Sequence, residues 1–149
     1  MTTSKKYSIN YLVALLFLVV MPAFGAESNP WDSQEALQLS DNLYASSRKL
    51  NAECRQSPGK YLDEGSSGHI EFRYHVRHFM SVTRDLSESL ESGANQVETQ
   101  PIYAESVEIM GDLKNYAGGK NPKAWPQVVT AVSKAESILN QLGALYSTK

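Results

Sequence analysis

The chain has 149 residues, of which 42% are hydrophobic and 20% charged, a formal net charge of −2 and a single cysteine. Mild acidity excludes the concentrated cationic surface that a nucleic-acid partner requires, and one cysteine excludes an internal disulfide. The length supplies one core and not two.

The first 25 residues read as an export signal. Lys5 and Lys6 form a positive start, and the stretch from Tyr11 to Met21 carries no charge. That stretch is shorter than the roughly 20 apolar residues that span a bilayer. Pro22 breaks it, and Ala23-Phe24-Gly25 puts small residues where a signal peptidase reads. A mature chain from Ala26 is expected, as one domain over 26–149. The only cysteine, Cys54, lies far from this point, so no lipoprotein box is present. The signal is of bacterial type and implies a periplasmic, soluble protein with no membrane contact after cleavage. Its two lysines are not balanced by any acid, so residues 26–149 carry a formal net charge of −4.

Four amphipathic helices follow, without the strict alternation of strands. The first opens at Asp32 with Glu35 three residues on, as in a capping box, and Trp31 is placed to staple onto Ala36. Its stripe is Ala36, Leu39, Leu43, Leu50 and Cys54, with Ser40 and Ser47 in the gaps, and it ends before Ser57-Pro58-Gly59. The second, from about Ser67 to Ser92, carries the seam His69, Phe72, Val76, Phe79, Thr83, Leu86 and Leu90 at steps of three and four. Gly93 stops it.

The third is expected to begin at Thr99 or Gln100, with Pro101 in its first turn, and to present Ile102, Ser106, Met110, Leu113 and Ala117 until Gly118-Gly119. The fourth carries Trp125, Val128, Val132, Ala135, Leu139, Leu142 and Tyr146. Pro126 within that pattern marks either a kink in a helix begun at Asn121-Pro122 or the true start. Similar lengths and short later connections predict an all-α, antiparallel up-down-up-down four-helix bundle.

The residues with chemical character gather on the second helix. Glu71, His75 and His78 fall in one stripe, at steps of four and three, and Asp85 extends it. Two imidazoles and a carboxylate form part of a zinc or copper shell whose fourth ligand a neighbouring helix would supply. The alternative is a solvated helix flank. A second stripe holds Arg73, Arg77 and Arg84 with Met80 between them, and Ile70 and Tyr74 project beside it. Arginine and tyrosine are the residues that most often anchor interfaces, so this stripe fits an acidic protein partner or a second copy of the chain. The alternative is that the arginines pair with carboxylates of adjacent helices. From Asp85 to Asp112 the chain has seven acids and no lysine or arginine, so charge is polarised along its length. Cys54 falls on the core stripe as a buried thiol, with a disulfide-linked dimer as the other reading.

Nucleophilic catalysis has no support: there is no Gly-x-Ser-x-Gly elbow and no Cys-His-Asn context. Gly118-Gly119 closes a helix and does not open a phosphate loop.

Through Leu39-Ser40-Asp41-Asn42-Leu43, Glu71-Phe72-Arg73 and Leu90-Glu91-Ser92-Gly93, the chain resembles the soluble periplasmic cytochrome b and cytochrome c-prime class. The resemblance implies a four-helix fold without the haem. The Cys-x-x-Cys-His attachment is absent, and the axial methionine of the first helix and histidine of the fourth have no counterparts. A haem held by His69, His75 or His78 with Met110 is the remaining haem arrangement. The sequence reading is therefore an exported, non-enzymatic interaction protein presenting Arg73, Tyr74, Arg77 and Arg84. Its alternative is a periplasmic metal- or haem-binding protein using Glu71, His75 and His78.

Overall fold

The computed structural model describes residues 31–56, 67–118 and 126–147. The expected export signal, the Ser57-Pro58-Gly59 and Asn121-Pro122 connections, Gly119, Trp125 and the side chain of His69 lie outside the described residues. Four helices form a bundle: α1 (Ser33–Gln56), α2 (Ser67–Glu91), α3 (Gln96–Gly118) and α4 (Pro126–Tyr146). Contacts join α1 to α2, α2 to α3, α3 to α4 and α4 back to α1. No described helix is long and apolar enough to cross a membrane.

Local chemistry fixes most helix ends. Asp32 caps α1, its Oδ1 accepting from the amides of Gln34 and Glu35, each at 2.9 Å. Gly93, at φ 89°, ends α2 in a Schellman turn in which its amide bonds to Leu90 and that of Ala94 bonds to Ser89, both at 3.0 Å. The fourth helix is described from Pro126, and the other start considered, at Asn121-Pro122, lies outside the described residues.

The third helix begins earlier than the sequence reading placed it. Asn95 Oδ1 accepts from Val97 at 2.9 Å and Glu98 at 3.1 Å, while Glu98 Oε2 accepts from the Asn95 amide at 2.8 Å. This reciprocal capping box starts α3 at Gln96 and moves Pro101 into its second turn. The bond that Pro101 cannot donate would have gone to Val97, an 81% exposed residue.

The α2 seam is as expected, with Phe72, Val76, Phe79, Thr83, Leu86 and Leu90 all buried. The α1 stripe is shifted. Leu39 is only partly buried, while Ser40, Ser46 and Ser47 are buried with Ala36, Leu43, Leu50 and Cys54. The Thr83 hydroxyl lies 3.0 Å from Ser47 Oγ, and Ser47 itself donates to the Tyr44 carbonyl at 2.7 Å. Ser87 of α2 donates to Asp41 of α1. Residue numbers rise along one helix as they fall along the other, the register that antiparallel neighbours produce. Lys114 of α3 with Glu136 of α4, and Thr99 with Tyr146, run the same way.

Aromatic rings close the end where α1 and α3 begin and α4 finishes. Tyr103 stacks on Tyr146 at 4.2 Å, and Trp31 meets Tyr146 edge-on at 5.1 Å. The Tyr146 hydroxyl donates to Thr99 Oγ1 at 2.7 Å, and Thr99 donates to the Asn95 carbonyl at 2.8 Å. Gly143 is required here, because a Cβ at that position would sit 2.5 Å from the Tyr103 hydroxyl. At Gly111, on the exposed side of α3, a Cβ would meet nothing within 4 Å. Gly111→Ala is therefore expected to stabilise the bundle by about 0.5–1 kcal/mol. Gly143→Ala, the same change inside another helix, is expected to lower stability by displacing the stacked ring. Paired urea melts would separate the two.

Candidate functional site

The core seam of α2 divides its remaining surface into two flanks. At about 100° per residue, Arg73, Met80 and Ser87 turn towards α1, and Glu71, His75 and His78 turn towards α3. Ile70 and Tyr74 point out between them, 63% and 60% exposed.

On the α1 side, the exposed Arg73 and Arg77 stand one turn apart, and Arg77 Nε donates to the Arg73 carbonyl at 3.3 Å. Neither forms an ion pair with a described residue. Their charge reaches Cys54 at the end of α1, where it favours the thiolate, but burial has the larger effect and holds the thiol above its ordinary value. Cys54 is a free thiol, 4% exposed.

Arg84 departs from the expected strip. Its guanidinium lies 3.3 Å from Asp85 and 3.7 Å from Glu88 on its own helix, so its charge is matched locally. Tyr74 departs too: its ring neighbours are His75 at 5.8 Å and His78 at 5.9 Å. The four residues expected to act together thus resolve into an unpaired arginine couple, a tyrosine beside it and a neutralised arginine further along.

On the α3 side, each histidine meets a different carboxylate. His78 Nε2 lies 3.1 Å from Glu105, while His75 Nδ1 lies 3.6 Å from Asp112 and Nε2 lies 3.9 Å from Glu71. The structure does not bring Glu71, His75 and His78 to one point. Among the described residues no group of three or more His, Cys, Asp or Glu side chains is disposed to hold a metal ion. His75 Nδ1 is buried without a hydrogen bond, beside a cavity of about 350 Å³ lined by Glu71, Phe72, Asp112, Asn115 and Tyr116. Met110, the residue considered with a histidine as a haem ligand pair, is in the core at 2% exposure and does not line that cavity.

Glu105 and Asp112 are the residues that sequence reasoning missed. The signal was present in the acidic surplus between Asp85 and Asp112, but partner assignment needs the α2–α3 register. Three more of those acids, Asp85, Glu88 and Glu98, line an open cleft of about 610 Å³ at the α2–α3 turn.

Burial of Cys54 sets an alkaline limit on stability. The unfolded chain's thiol ionises from its ordinary value of 9.0, whereas the folded one does so only at higher pH. The unfolded state therefore binds fewer protons above that value, and stability falls as pH rises. Between 9.0 and 10.0, where tyrosine has not yet reached its own ordinary value, the slope of unfolding free energy with pH is expected to flatten in Cys54→Ala. Urea melts across that window would check it.

No family model, no curated protein and no solved structure matches this chain.

Proposed function

We propose that this chain is an exported, non-enzymatic interaction protein, and that the start of α2 docks an acidic protein partner. The observation that carries the reading is the coincidence of two exposed arginines, Arg73 and Arg77, that form no ion pair with a described residue, with two large exposed apolar residues, Ile70 and Tyr74. An exposed apolar residue alone is ordinary. Two of them bordered by unmatched guanidinium groups combine an apolar anchor with charge-assisted hydrogen bonding.

The reading narrows the sequence expectation. Arg73, Tyr74 and Arg77 carry it, with Ile70 added, and Arg84 falls outside because Asp85 and Glu88 already match it. The acids of α3 lie on the other flank of α2, where they repel an acidic partner that approaches in the wrong orientation. Export is supported by the leader pattern, and a non-enzymatic role by buried polar residues that, among the described residues, are serine and threonine alone.

A photo-crosslinking residue placed at Tyr74 in the producing cell is expected to give one discrete, salt-sensitive adduct. The same residue at exposed Gln127 of α4 serves as the control. Arg73→Glu with Arg77→Glu should weaken adduct formation by about tenfold or more while far-UV circular dichroism stays unchanged. Equal adducts at both positions, or an adduct insensitive to the double variant, would overturn the reading.

A further inference from the structure

On the opposite side of α1 from α2, the groove between α1 and α4 has features that the proposed docking face does not use. Two adjoining cavities of about 340 and 370 Å³ open along it and share three residues, Ser46, Lys49 and Lys134. Lys49 lies one turn after Ser46 on α1, and Lys134 faces them from α4. Neither lysine forms an ion pair with a described residue, whereas Lys114 on the other side of α4 is matched by Glu136.

Ser46 is 6% exposed, and its hydroxyl makes no hydrogen bond with a described residue. Its neighbours behave otherwise: Ser40 and Ser47 donate to the carbonyls of Leu37 and Tyr44, both at 2.7 Å. A serine hydroxyl bonded to no described residue and two lysines without a described ion pair line both cavities, so the shared part of the groove offers hydrogen-bond donors to an anion.

The two cavities differ in what they would accept beyond that anion. The smaller contains Glu53, one turn beyond Lys49, whose carboxylate opposes a second negative group. The larger has no acid in its lining. Its walls are apolar at Leu39, Ala45 and Ile138, with Asn42 and Gln141 the only uncharged polar side chains besides Ser46. Leu39 and Ile138 are partly buried and pack against the core from this side, so they form a fixed apolar floor.

We propose that this groove binds a small monocarboxylic acid with an apolar body. The carboxylate accepts from Lys49, Lys134 and the Ser46 hydroxyl, and the body lies over Leu39, Ala45 and Ile138. The volume is within the range of small-ligand sites, about 300–1,000 Å³, and suits a medium-chain or aromatic acid. The site is independent of the α2 docking face, because it uses neither Arg73 nor Arg77.

The test is a titration of the exported, signal-cleaved protein with octanoate, followed by amide chemical shifts and calorimetry. Acetate and octanol serve as the matched probes for charge alone and chain alone. Saturable octanoate binding is expected, with shifts confined to residues 39–49 and 134–141, and with acetate and octanol each weaker by about tenfold or more. Lys49→Met with Lys134→Met should reduce octanoate affinity at least as far without altering the melting temperature, and Ser46→Ala should reduce it less. Arg73→Glu with Arg77→Glu should leave it unchanged, which separates this site from the docking face. Equal binding of acetate, equal binding of octanol, shifts centred on α2, or an unaffected lysine double variant would each overturn the proposal.

Discussion

The bundle depends on α1 burying serine as often as it buries leucine. Ser40 and Ser47 are fully buried on the face where Leu43 and Leu50 also point. A buried hydroxyl without a partner costs about 1–3 kcal/mol, so this face is stable only because each of these two serines donates to a carbonyl on its own helix. Satisfied in that way, serine packs as a residue hardly larger than alanine. The neighbouring helices can approach at those levels, and the large residues of α2, Phe72 and Phe79 among them, fill the space between the leucines.

The same constraint explains which parts of the fold were legible in the sequence. On α2 the buried positions are apolar apart from Thr83 and Ser87, so a reading that follows hydrophobicity finds the seam. On α1 the expected stripe holds Ser40 and Ser47, both buried, but it misses the buried Ser46 and includes Leu39, which sits on the flank facing α4. The start of α3 was obscured by a different competition. Pro101 is a strong local signal for a first turn, and it outweighed Asn95 and Glu98, whose side chains together cap the helix at Gln96. Pro101 is tolerated a turn later because only one backbone bond is lost, and that one would have gone to an exposed residue.

The candidate site was legible as composition and not as grouping. The sequence places Arg73, Arg77 and Arg84 on one stripe, and Glu71, His75 and His78 on another, and both stripes exist. Neither acts as a unit, for one reason: a charged side chain answers to its nearest opposite charge more than to its position on a helix. Arg84 has Asp85 beside it and Glu88 one turn on, whereas Arg73 and Arg77 have no acid within reach among the described residues. His75 and His78 each face a separate carboxylate of α3, Asp112 and Glu105. A helical-wheel reading of α2 alone does not contain those acids, so it converts two interhelical histidine–carboxylate contacts into an apparent ligand set.

Charge matching, applied to the whole surface, separates the molecule's cations into two kinds. Arg84 and Lys114 are matched, the first within its helix and the second across the α3–α4 contact. Among the described residues Arg48, Lys49, Arg55, Arg73, Arg77 and Lys134 form no ion pair, and four of these, Lys49 with Lys134 and Arg73 with Arg77, stand as two pairs on opposite sides of α1. The pairs differ in what surrounds them. Arg73 and Arg77 stand beside exposed apolar side chains on a convex helix face, which suits a partner large enough to cover that face. Lys49 and Lys134 stand over a partly buried apolar floor with a nearly buried hydroxyl between them, which suits a ligand small enough to enter the groove. The chain is acidic overall, so unmatched cations are retained against a local excess of carboxylates. That retention at two places with opposite shapes ties each pair to the size of the anion that would complete it.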